Sequence, residues 1–359
     1  MIKFLHAADL HLDTPFTARG AESRQEQRQL VEELFELANA ETCDLVLLAG
    51  DVFDGSNIYP QTVETLRDAM AKCRAQVFIA PGNHDHLRTG SPYLTAQWPE
   101  NVHIFREPRI TSVSLTQPRC RVYGVGFTAP NMGKLLQGFH VEDEAEPGIM
   151  VMHGEVAADS AYNAISAEEI AASGLDYLAL GHIHLRDEMR QAGRTFYAMP
   201  GCPMGRGFKE TGDKGVYIGT LDGGNCKLTF RPLSGRRYEE LSVAVGDDPQ
   251  AAVTAALEGK DARRDLYRIA LTGEAEKLDL PALEEALKPL FFSLELQDQT
   301  VPKRDLWAGA GEGTLRGQFL ARLKERYDTE TDDEARRLIA SAARLGLDAI
   351  EGRDEEVLS

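Results

Sequence analysis

Five short motifs between residues 9 and 184 bring together acidic, amide and imidazole side chains. Five of the nine histidines of the chain lie in these motifs. In chain order, the motifs contain Asp9 and His11 (DLH), Asp51 and Asp54 (GDVFD), Asn83, His84 and Asp85 (GNHD), His153 (HG), and His182 and His184 (GHIH). Oxygen and imidazole ligands without a thiolate suit divalent metals such as manganese, iron or zinc. The types of these residues therefore predict a metal site.

The number of candidate ligands indicates how many ions the site holds. Seven ligands, taken from the ten polar residues of these motifs, are too many for one tetrahedral ion, but they suit two octahedral-like ions that share a carboxylate. Two ions about 3.5–4 Å apart activate a bridging hydroxide and stabilise an in-line displacement at phosphorus. Because bound metal lowers the pKa of water, this nucleophile exists near neutral pH. The motifs therefore predict hydrolysis at a phosphorus centre.

Each motif directly follows a continuous apolar run. The runs cover residues 2–8, 45–49, 76–80, 149–152 and 177–180. Continuous rather than alternating runs are typical of strands that are covered on both faces. Helical patterns at about 22–41 and 60–74 separate the first three runs and predict a right-handed βαβ layout. Ligands bind at the carboxyl ends of such strands, where the polar residues stand.

The pattern changes twice along the rest of the chain. Residues 102–126 predict short strands, and residues 187–244 predict antiparallel hairpins with a Gly-rich turn at 222–225 (DGGN). After residue 245, helices at 248–258 and 280–290, strands at 265–272 and 291–298, and amphipathic helices at about 314–327 and 332–346 are predicted. We therefore expect three parts: a catalytic domain over 1–244, an α/β capping domain over 245–304, and a linker with C-terminal helices over 305–359.

Composition restricts the class of protein. The net charge of −18 is not typical of a generic DNA-binding protein. The charge is uneven, because residues 186–237 carry a net charge of +5 and residues 327–359 carry −6. No apolar stretch reaches the roughly 20 residues that span a bilayer, and the N-terminus lacks a signal-peptide core. Five cysteines without a CxxC pair favour a reduced, cytoplasmic protein.

The order of the five motifs resembles that of the calcineurin-like metallophosphoesterase superfamily. The opening AADLHLD, the GDVFD form and the PG block at 200–201 leading to FKETGDKGVYIGTL are most similar to the SbcD/YhaO group of DNA-repair exonucleases. The motif match extends from residue 1 to about residue 235. The resemblance implies an α/β fold in which a two-sheet sandwich is flanked by helices, with a smaller α/β cap and C-terminal helices.

The resemblance also implies a role for each motif residue. Asp9, His11 and His184 would hold a first metal ion, Asp51 would bridge, and Asn83, His153 and His182 would hold a second. His84 would lie over the scissile phosphate as a general acid or phosphate stabiliser, and Asp54 would orient it. Some relatives in this group carry a histidine at the position of Asp54, which leaves the proton route open.

Several polar residues have simpler interpretations. Asp85 is expected to accept hydrogen bonds from loop amides, and Asp13 to form a turn. Four histidines occupy no ligand position and are expected to be structural or surface residues: His6, His86, His103 and His140. The basic residues Arg186, Arg190, Arg194, Arg206 and Lys209 fit a solvated hairpin face about as well as a DNA contact. Arg206 and Lys209 are the better candidates for substrate binding, because residues 200–209 should return near the metals.

The leading hypothesis is a DNA exonuclease that depends on two divalent metal ions, with Mn²⁺ as the first choice and Fe²⁺ or Zn²⁺ as alternatives. The resemblance implies an SbcC-like coiled-coil ATPase as a partner, for which the C-terminal helices are a docking candidate; those helices could equally be a simple packed hairpin. A homodimer stays open. The alternatives are a phosphatase or cyclic-nucleotide phosphodiesterase on the same core, and a member of an ATPase complex that does not cut. The residues beyond 245 favour the nuclease, and the intact ligand set argues against the non-cutting protein.

Overall fold

Two six-stranded sheets carry the five motifs. The computed structural model describes residues 1–14, 20–55, 57–275, 277–302 and 305–351. All five apolar runs form strands, and helices flank the sheets. The α/β two-sheet architecture expected from the sequence is therefore confirmed.

The first sheet joins the N-terminal strands to a later hairpin. Numbered along the chain and given in spatial order, its strands are β14 (Asn225–Pro232), β13 (Gly215–Asp222), β1 (Ile2–Ala7), β2 (Leu45–Leu48), β3 (Gln76–Ile79) and β4 (Val102–Ile104). Strands β1 to β4 are parallel, whereas β13 pairs antiparallel with both β1 and β14. Helices α1 (Gly20–Ala40) and α2 (Pro60–Lys72) connect β1 to β2 and β2 to β3.

The second sheet carries the last two motifs. In spatial order, its strands are β11 (Arg190–Ala192), β12 (Thr195–Ala198), β10 (Tyr177–Gly181), β7 (Gly148–His153), β6 (Arg119–Gly124) and β5 (Thr111–Thr116). Strands β7 and β10 pair in parallel, with Gly181 opposite His153. This register places the ends of the two ligand-bearing strands side by side. Short elements complete this part of the chain: α3 (Pro92–Thr95), β8 (Glu155–Val156), β9 (Ala164–Ile165) and α4 (Ala167–Ala172).

Successive side chains of a strand point to opposite faces of the sheet and in this way build three apolar layers. In β1, Leu5 and Ala7 pack with the helices, whereas Phe4 faces the second sheet. Phe4 meets Tyr177 of β10 there, with ring centroids 4.6 Å apart. Leu178 of β10 packs on the outer side of the second sheet. Both faces of the central strands are therefore buried, which explains why their sequences are apolar without alternation.

Local sequence explains the principal helix and hairpin. One face of α1 carries a helically spaced apolar stripe that packs on the first sheet: Leu30, Val31, Leu34, Phe35 and Ala38. The turn between β13 and β14 contains Gly223 and Gly224, whose φ angles are 56° and 81°. Two consecutive positive φ angles are what a tight hairpin turn requires, and glycine adopts them at little cost. The antiparallel hairpin predicted around residues 222–225 is therefore confirmed.

The chain divides into two compact units. The first comprises Met1–Glu240, Asp261–Arg268 and Phe291–Ser293, and the second comprises Leu241–Lys260, Ile269–Leu290 and the described chain from Leu294. The remaining elements are β15 (Tyr238–Ala244), α5 (Pro249–Ala256), β16 (Leu266–Thr272), β17 (Glu274–Ala275), α6 (Leu280–Leu287), a 3₁₀ turn (Lys288–Leu290), β18 (Ser293–Asp298), β19 (Val301–Pro302), α7 (Leu315–Thr329) and α8 (Asp333–Glu351). The three-part division at residues 244 and 304 stays a prediction, and part of the acidic tail, 352–359, lies outside the described residues.

The two C-terminal helices pack on each other within the second unit. Gly346 of α8 lies so close to the ring of Phe319 in α7 that a larger side chain would collide with it. Trp307 packs against Tyr327 of α7, with ring centroids 5.3 Å apart. None of the helices in the described part of the chain combines the length and apolar character that a bilayer crossing requires.

Candidate metal centre

The carboxyl ends of strands from both sheets meet at one site. Strands β1, β2 and β3 of the first sheet lead into Asp9, Asp51 and Asn83, and β7 and β10 of the second sheet lead into His153 and His182. Backbone hydrogen bonds lock the first two loops together, because the amide of Asp9 donates to the carbonyl of Gly50 at 3.0 Å. The structure thus brings the five motifs into a single cluster.

The first group of the cluster contains Asp9, His11 and His184, whose ligand atoms all lie within 4.8 Å of one another. The Nε2 atoms of His11 and His184 are 3.0 Å apart. Ligand atoms at neighbouring positions of a divalent ion with bonds of about 2.1 Å lie about 3 Å apart. The spacing of these two nitrogens therefore fits a shared ion.

The second group is centred on Nε2 of His153. This atom lies 2.8 Å from Oδ1 of Asn83 and 3.3 Å from Nδ1 of His182. It also lies 3.4 Å from Oδ2 of Asp51. The same Asp51 oxygen is 3.8 Å from Nε2 of His11 in the first group. Asp51 therefore stands between the two groups, where a bridging ligand would have to be.

Strained backbone marks the ligand positions. Among the described residues, seven non-glycine residues have a positive φ angle, and four of them are Asp9, His11, Asp51 and His182. Such conformations cost free energy and persist where the surrounding structure fixes them. Gly82 adds a further constraint, because a Cβ atom there would collide with the carboxylate of Asp51. The loops are therefore shaped to aim these side chains.

The electrostatics of the cluster fit a pair of cations. Burial raises the pKa of Asp9 to about 6 and that of Asp51 to about 7. Burial also lowers the pKa of His11 to about 3 and that of His182 to about 4, and it lowers the pKa of His153. Buried carboxylates beside neutral imidazoles lack compensating positive charge, which bound dications would supply. The donor set therefore suits the dinuclear centre predicted from the sequence.

Hydrogen bonds at the far ring nitrogens orient two of the histidines. Nδ1 of His153 lies 3.0 Å from the carbonyl oxygen of Ala49, to which it can donate. Nδ1 of His184 lies 2.7 Å from Oε1 of Glu210. In both rings this arrangement leaves Nε2 free to face the cluster, as partners behind metal-binding histidines commonly do.

His84 lies at the edge of the cluster, hydrogen-bonded to Asp54. Its Nδ1 is 2.7 Å from Oδ1 of Asp54, and its side chain is 44% exposed. The hydroxyl of Thr14 donates to the other oxygen of Asp54 at 2.6 Å. Burial opposes ionisation of Asp54, but the hydrogen bonds that it accepts hold its pKa well below the usual range. The hydrogen bond to Asp54 raises the pKa of His84 in turn, so His84 is suited to presenting a proton.

A third set of side chains, His11, Asp54 and His84, is also close enough to hold an ion. Two features argue against an ion there. His11 turns Nε2 toward the first group, and His84 and Asp54 already share a hydrogen bond. His84 and Asp54 are therefore better described as a proton-handling pair beside the metal centre, and His11 belongs to the first group.

Asp85 joins the two loops that carry Asp51 and Asn83. Its Oδ2 accepts hydrogen bonds from the amides of Val52 at 2.7 Å and Phe53 at 3.2 Å, and from the hydroxyl of Tyr93 at 2.5 Å. Its Oδ1 accepts from the amide of Gly82 at 2.7 Å. The contacts agree with the predicted structural role, since both carboxylate oxygens serve the loops.

The other polar residues singled out in the sequence lie outside the cluster. The carboxylate of Asp13 accepts from the amide of Tyr59 and the hydroxyl of Thr62. His6 is buried between the hydroxyl of Tyr177 and the carbonyl of Leu180, and burial lowers its pKa to about 3. These contacts are structural. In the described part of the chain, the close ligand groups likewise include none of His86, His103 and His140.

The basic residues divide into paired and exposed ones. Arg190 lies 2.8 Å from Asp187, and Arg194 lies 2.7 Å from Asp176. Arg206 lies against the ring of His184, with Nη2 2.7 Å from Nδ1 and 3.4 Å from Nε2. Lys209 is exposed and forms no ion pair with the described residues. Of the two residues predicted to bind substrate, Arg206 is therefore the one that the structure brings to the metal centre.

Sequence reasoning missed Glu210 and Thr14. Glu210 lies behind His184 and stays ionised: burial opposes ionisation, but the hydrogen bond from His184 and the charge of Arg206 lower its pKa to about 2. A metal-binding histidine usually has a hydrogen-bond acceptor behind it. The acid at the end of residues 200–210 could therefore have been predicted as such an acceptor. Thr14 offered no such signal, because its contact with Asp54 depends on tertiary structure alone.

Comparison with known proteins agrees with the site. The model of the calcineurin-like phosphoesterase family matches residues 2–186. The chain is 31% identical over 261 residues to a Bacillus subtilis protein named uncharacterized metallophosphoesterase YhaO, covering 68% of this chain and 63% of that protein. It is 28% identical over 333 residues to the DNA double-strand break repair protein Mre11 of Aeropyrum pernix, covering 86% and 77%. It is 24% identical over 260 residues to one component of the nuclease SbcCD of Bacillus subtilis, covering 59% and 64%. The chain thus spans less than two thirds of each of the two Bacillus relatives.

Replacing Asp85 with Asn should destabilise the fold. The amide would place an NH₂ group against backbone donors that now meet a carboxylate oxygen, which should cost about 2–4 kcal/mol of unfolding free energy. Thermal and denaturant unfolding of Asp85→Asn would measure the loss. The control is Asp68→Asn, because Asp68 is an exposed residue paired with Arg67. Equal stability of the two variants would contradict the role given to Asp85.

Metal binding should weaken as the pH falls below about 7. In the metal-free protein the pKa of Asp9 is about 6 and that of Asp51 about 7, so their carboxyl groups hold protons in this range. Cations must displace those protons, and Mn²⁺ affinity should fall by about tenfold per pH unit for each proton released. Calorimetric titration in two buffers of different ionisation enthalpy measures affinity and proton release together. Affinity that is constant from pH 8 to pH 6 would rule out this coupling.

Proposed function

The chain belongs to the calcineurin-like phosphoesterase family, and from this premise we propose that it is a DNA exonuclease that hydrolyses phosphodiester bonds in DNA repair. Family membership makes it a metallophosphoesterase, a hydrolase of a class that depends on two metal ions. The observation that carries the proposal is the convergence of two ligand groups on Asp51, with the His84–Asp54 pair beside them. Two ion sites that share a ligand, with a proton donor beside them, are the groups that hydrolysis of a phosphorus ester requires.

The residues divide the chemical work. Asp9, His11 and His184 would hold one ion, Asn83, His153 and His182 would hold the other, and Asp51 would be shared between them. When bound, the ions supply a nucleophile near neutral pH and positive charge for the phosphoryl oxygens. The oxygen and imidazole donors favour Mn²⁺, with Fe²⁺ or Zn²⁺ as alternatives.

His84 is the proton donor to the leaving group in this proposal. Its hydrogen bond to Asp54 holds a proton on Nδ1 and raises its pKa, so that Nε2 can also carry a proton toward the phosphate. Thr14 fixes the carboxylate of Asp54 from the other side. The guanidinium of Arg206 lies beside the ring of His184, and we assign it the role of contacting a phosphate oxygen.

DNA is favoured over a small phosphoester by two observations. The relatives include a DNA double-strand break repair protein and a component of a nuclease. The chain also continues well past the 2–186 match into a second unit, which a small-molecule phosphatase does not need. We assign that additional part the role of guiding DNA.

A partner protein is part of the proposal. The exposed face of α8 carries Leu338 and Leu345, which are 73% and 59% exposed. Apolar residues on a helix surface suit docking to another helix, and we propose an SbcC-like coiled-coil ATPase as the partner. A homodimer through another surface is compatible with this arrangement. The five free cysteines support a cytoplasmic location.

The decisive experiment incubates the protein with end-labelled linear duplex DNA. With Mn²⁺ we expect progressive shortening of the DNA, which a chelator abolishes. His84→Ala should slow the reaction by about 10²–10⁴-fold, as loss of a general acid does. His140→Ala is the matched control, because His140 is an exposed histidine paired with Glu144 outside the cluster.

The outcomes separate the hypotheses. Shortening that survives the chelator or the His84→Ala change would contradict the proposed mechanism. If DNA stays intact while bis(p-nitrophenyl) phosphate is hydrolysed with Mn²⁺, the metal centre is competent and DNA is not a substrate of this chain alone. A small phosphodiester or phosphomonoester would then be the better assignment, unless adding the ATPase partner restores DNA cleavage.

A further inference from the structure

Glu210 lies directly behind the ring of His184. Its Oε1 is 2.7 Å from Nδ1 of the imidazole, and its side chain is only 13% exposed. On the opposite side of the ring, Nε2 of His184 faces Nε2 of His11 at 3.0 Å. The ring therefore lies between a buried acceptor and the first ligand group.

The acceptor determines which ring nitrogen carries the proton. A neutral imidazole has one N–H, and a carboxylate can only accept a hydrogen bond. With Glu210 ionised, the proton of His184 belongs on Nδ1, and the lone pair of Nε2 points at the cluster. Metal ions bind the deprotonated nitrogen, so this tautomer is the one that can serve as a ligand.

Arg206 competes for the same nitrogen. Its Nη2 is 2.7 Å from Nδ1 of His184 and 3.3 Å from Oε1 of Glu210. A guanidinium only donates, so a hydrogen bond from Arg206 to Nδ1 would require the opposite tautomer, with the proton on Nε2. The two contacts to Nδ1 are mutually exclusive. Glu210 resolves the conflict by accepting both from His184 and from Arg206.

Local structure fixes the carboxylate of Glu210. Its Oε2 accepts from the amide of Arg206 at 2.8 Å, and its own amide donates to the carbonyl of Gly207 at 2.9 Å. Phe208, in the same turn, packs between the guanidinium of Arg268 at 4.0 Å and the ring of Tyr238 at 5.1 Å. These contacts fix the turn that carries Glu210. Its carboxylate therefore has little freedom to leave His184.

We propose that Glu210 is a positioning residue of the first metal site: it holds His184 in the tautomer that exposes Nε2, and it keeps the guanidinium of Arg206 from donating to the ring. The inference rests on the proposed metal centre, but it does not depend on the identity of the substrate. Arg206, once held by Glu210 rather than by His184, remains at the cluster edge, where a substrate phosphate would lie.

Titration of the full chain with Mn²⁺, followed by calorimetry and by metal content after dialysis, tests the proposal without substrate. Glu210→Ala should weaken one of the two Mn²⁺ equivalents by about 10- to 100-fold and leave the other within about threefold. Glu210→Gln should lose less, because the amide oxygen still accepts from Nδ1. Asp213→Asn is the matched control, because Asp213 is an exposed acid nearby that pairs with Arg237. Its affinity should equal that of the wild type.

A double-variant cycle separates the tautomer from simple charge screening. If Glu210 sets the tautomer, Glu210→Ala still costs Mn²⁺ affinity when Arg206 is replaced by Met, although by a smaller factor, because the competing guanidinium is gone. If Glu210 only neutralises Arg206, the cost vanishes in the Arg206→Met background, and the proposal is overturned. Unchanged binding of both Mn²⁺ equivalents by Glu210→Ala would also overturn it.

Failure of this inference is distinguishable from failure of the proposed function. A wild-type chain that binds two Mn²⁺ equivalents but does not shorten DNA contradicts the nuclease assignment alone. Nitrogen NMR of labelled histidine in the metal-free protein provides the readout that does not depend on metal affinity. Nδ1 of His184 should carry the proton in the wild type and lose that preference in Glu210→Ala; an unchanged tautomer would contradict the assigned role.

Discussion

The burial of Asp9 and Asp51 beside neutral imidazoles is the constraint on which the rest of the site depends. Both carboxylates are about 1% exposed, and His11 and His153 are fully buried. Removing a carboxylate from water without a compensating charge is costly, which is why burial raises both pKa values. The fold therefore holds these groups in an arrangement whose electrostatic cost is offset either by protonation or by bound cations. Such a site must be assembled by strong local constraints, because its own electrostatics oppose it.

Those constraints come from outside the cluster. Parallel pairing of β7 with β10 aligns His153 with the start of the GHIH loop, and Asp85 connects the two loops of the first sheet. Behind the imidazoles stand two acceptors, the carbonyl of Ala49 and the carboxylate of Glu210, and the carboxylate of Asp54 lies 3.4 Å from Nδ1 of His11. The acceptors come from distant parts of the chain, and together they determine how the rings face the ions.

The sequence predicted those elements that depend on a local pattern of residues. Continuous apolar runs predicted the ligand-bearing strands, because both faces of those strands are buried, and the paired glycines at 223 and 224 predicted a hairpin. The two-sheet layout came from the resemblance, since periodicity alone cannot tell which strands share a sheet. The motifs after β3 and β7 belong to different sheets, yet their side chains approach to 2.8 Å. Contacts of this kind, including Thr14 with Asp54, arise only when the chain is folded.

The folded chain also shows how the uneven charge of the sequence is compensated by ion pairs. The basic excess of residues 186–237 fitted a solvated hairpin face about as well as a DNA contact, and in the structure Arg190, Arg194 and Arg237 each form ion pairs within the protein. On a chain with a net charge of −18, these pairs leave less positive charge to attract DNA than the basic excess suggests. Two bound dications would add roughly +4 at the cluster and would become the largest local positive charge. For the proposed nuclease, metal loading would therefore supply substrate attraction as well as the nucleophile, because Arg206 is itself paired with Glu210.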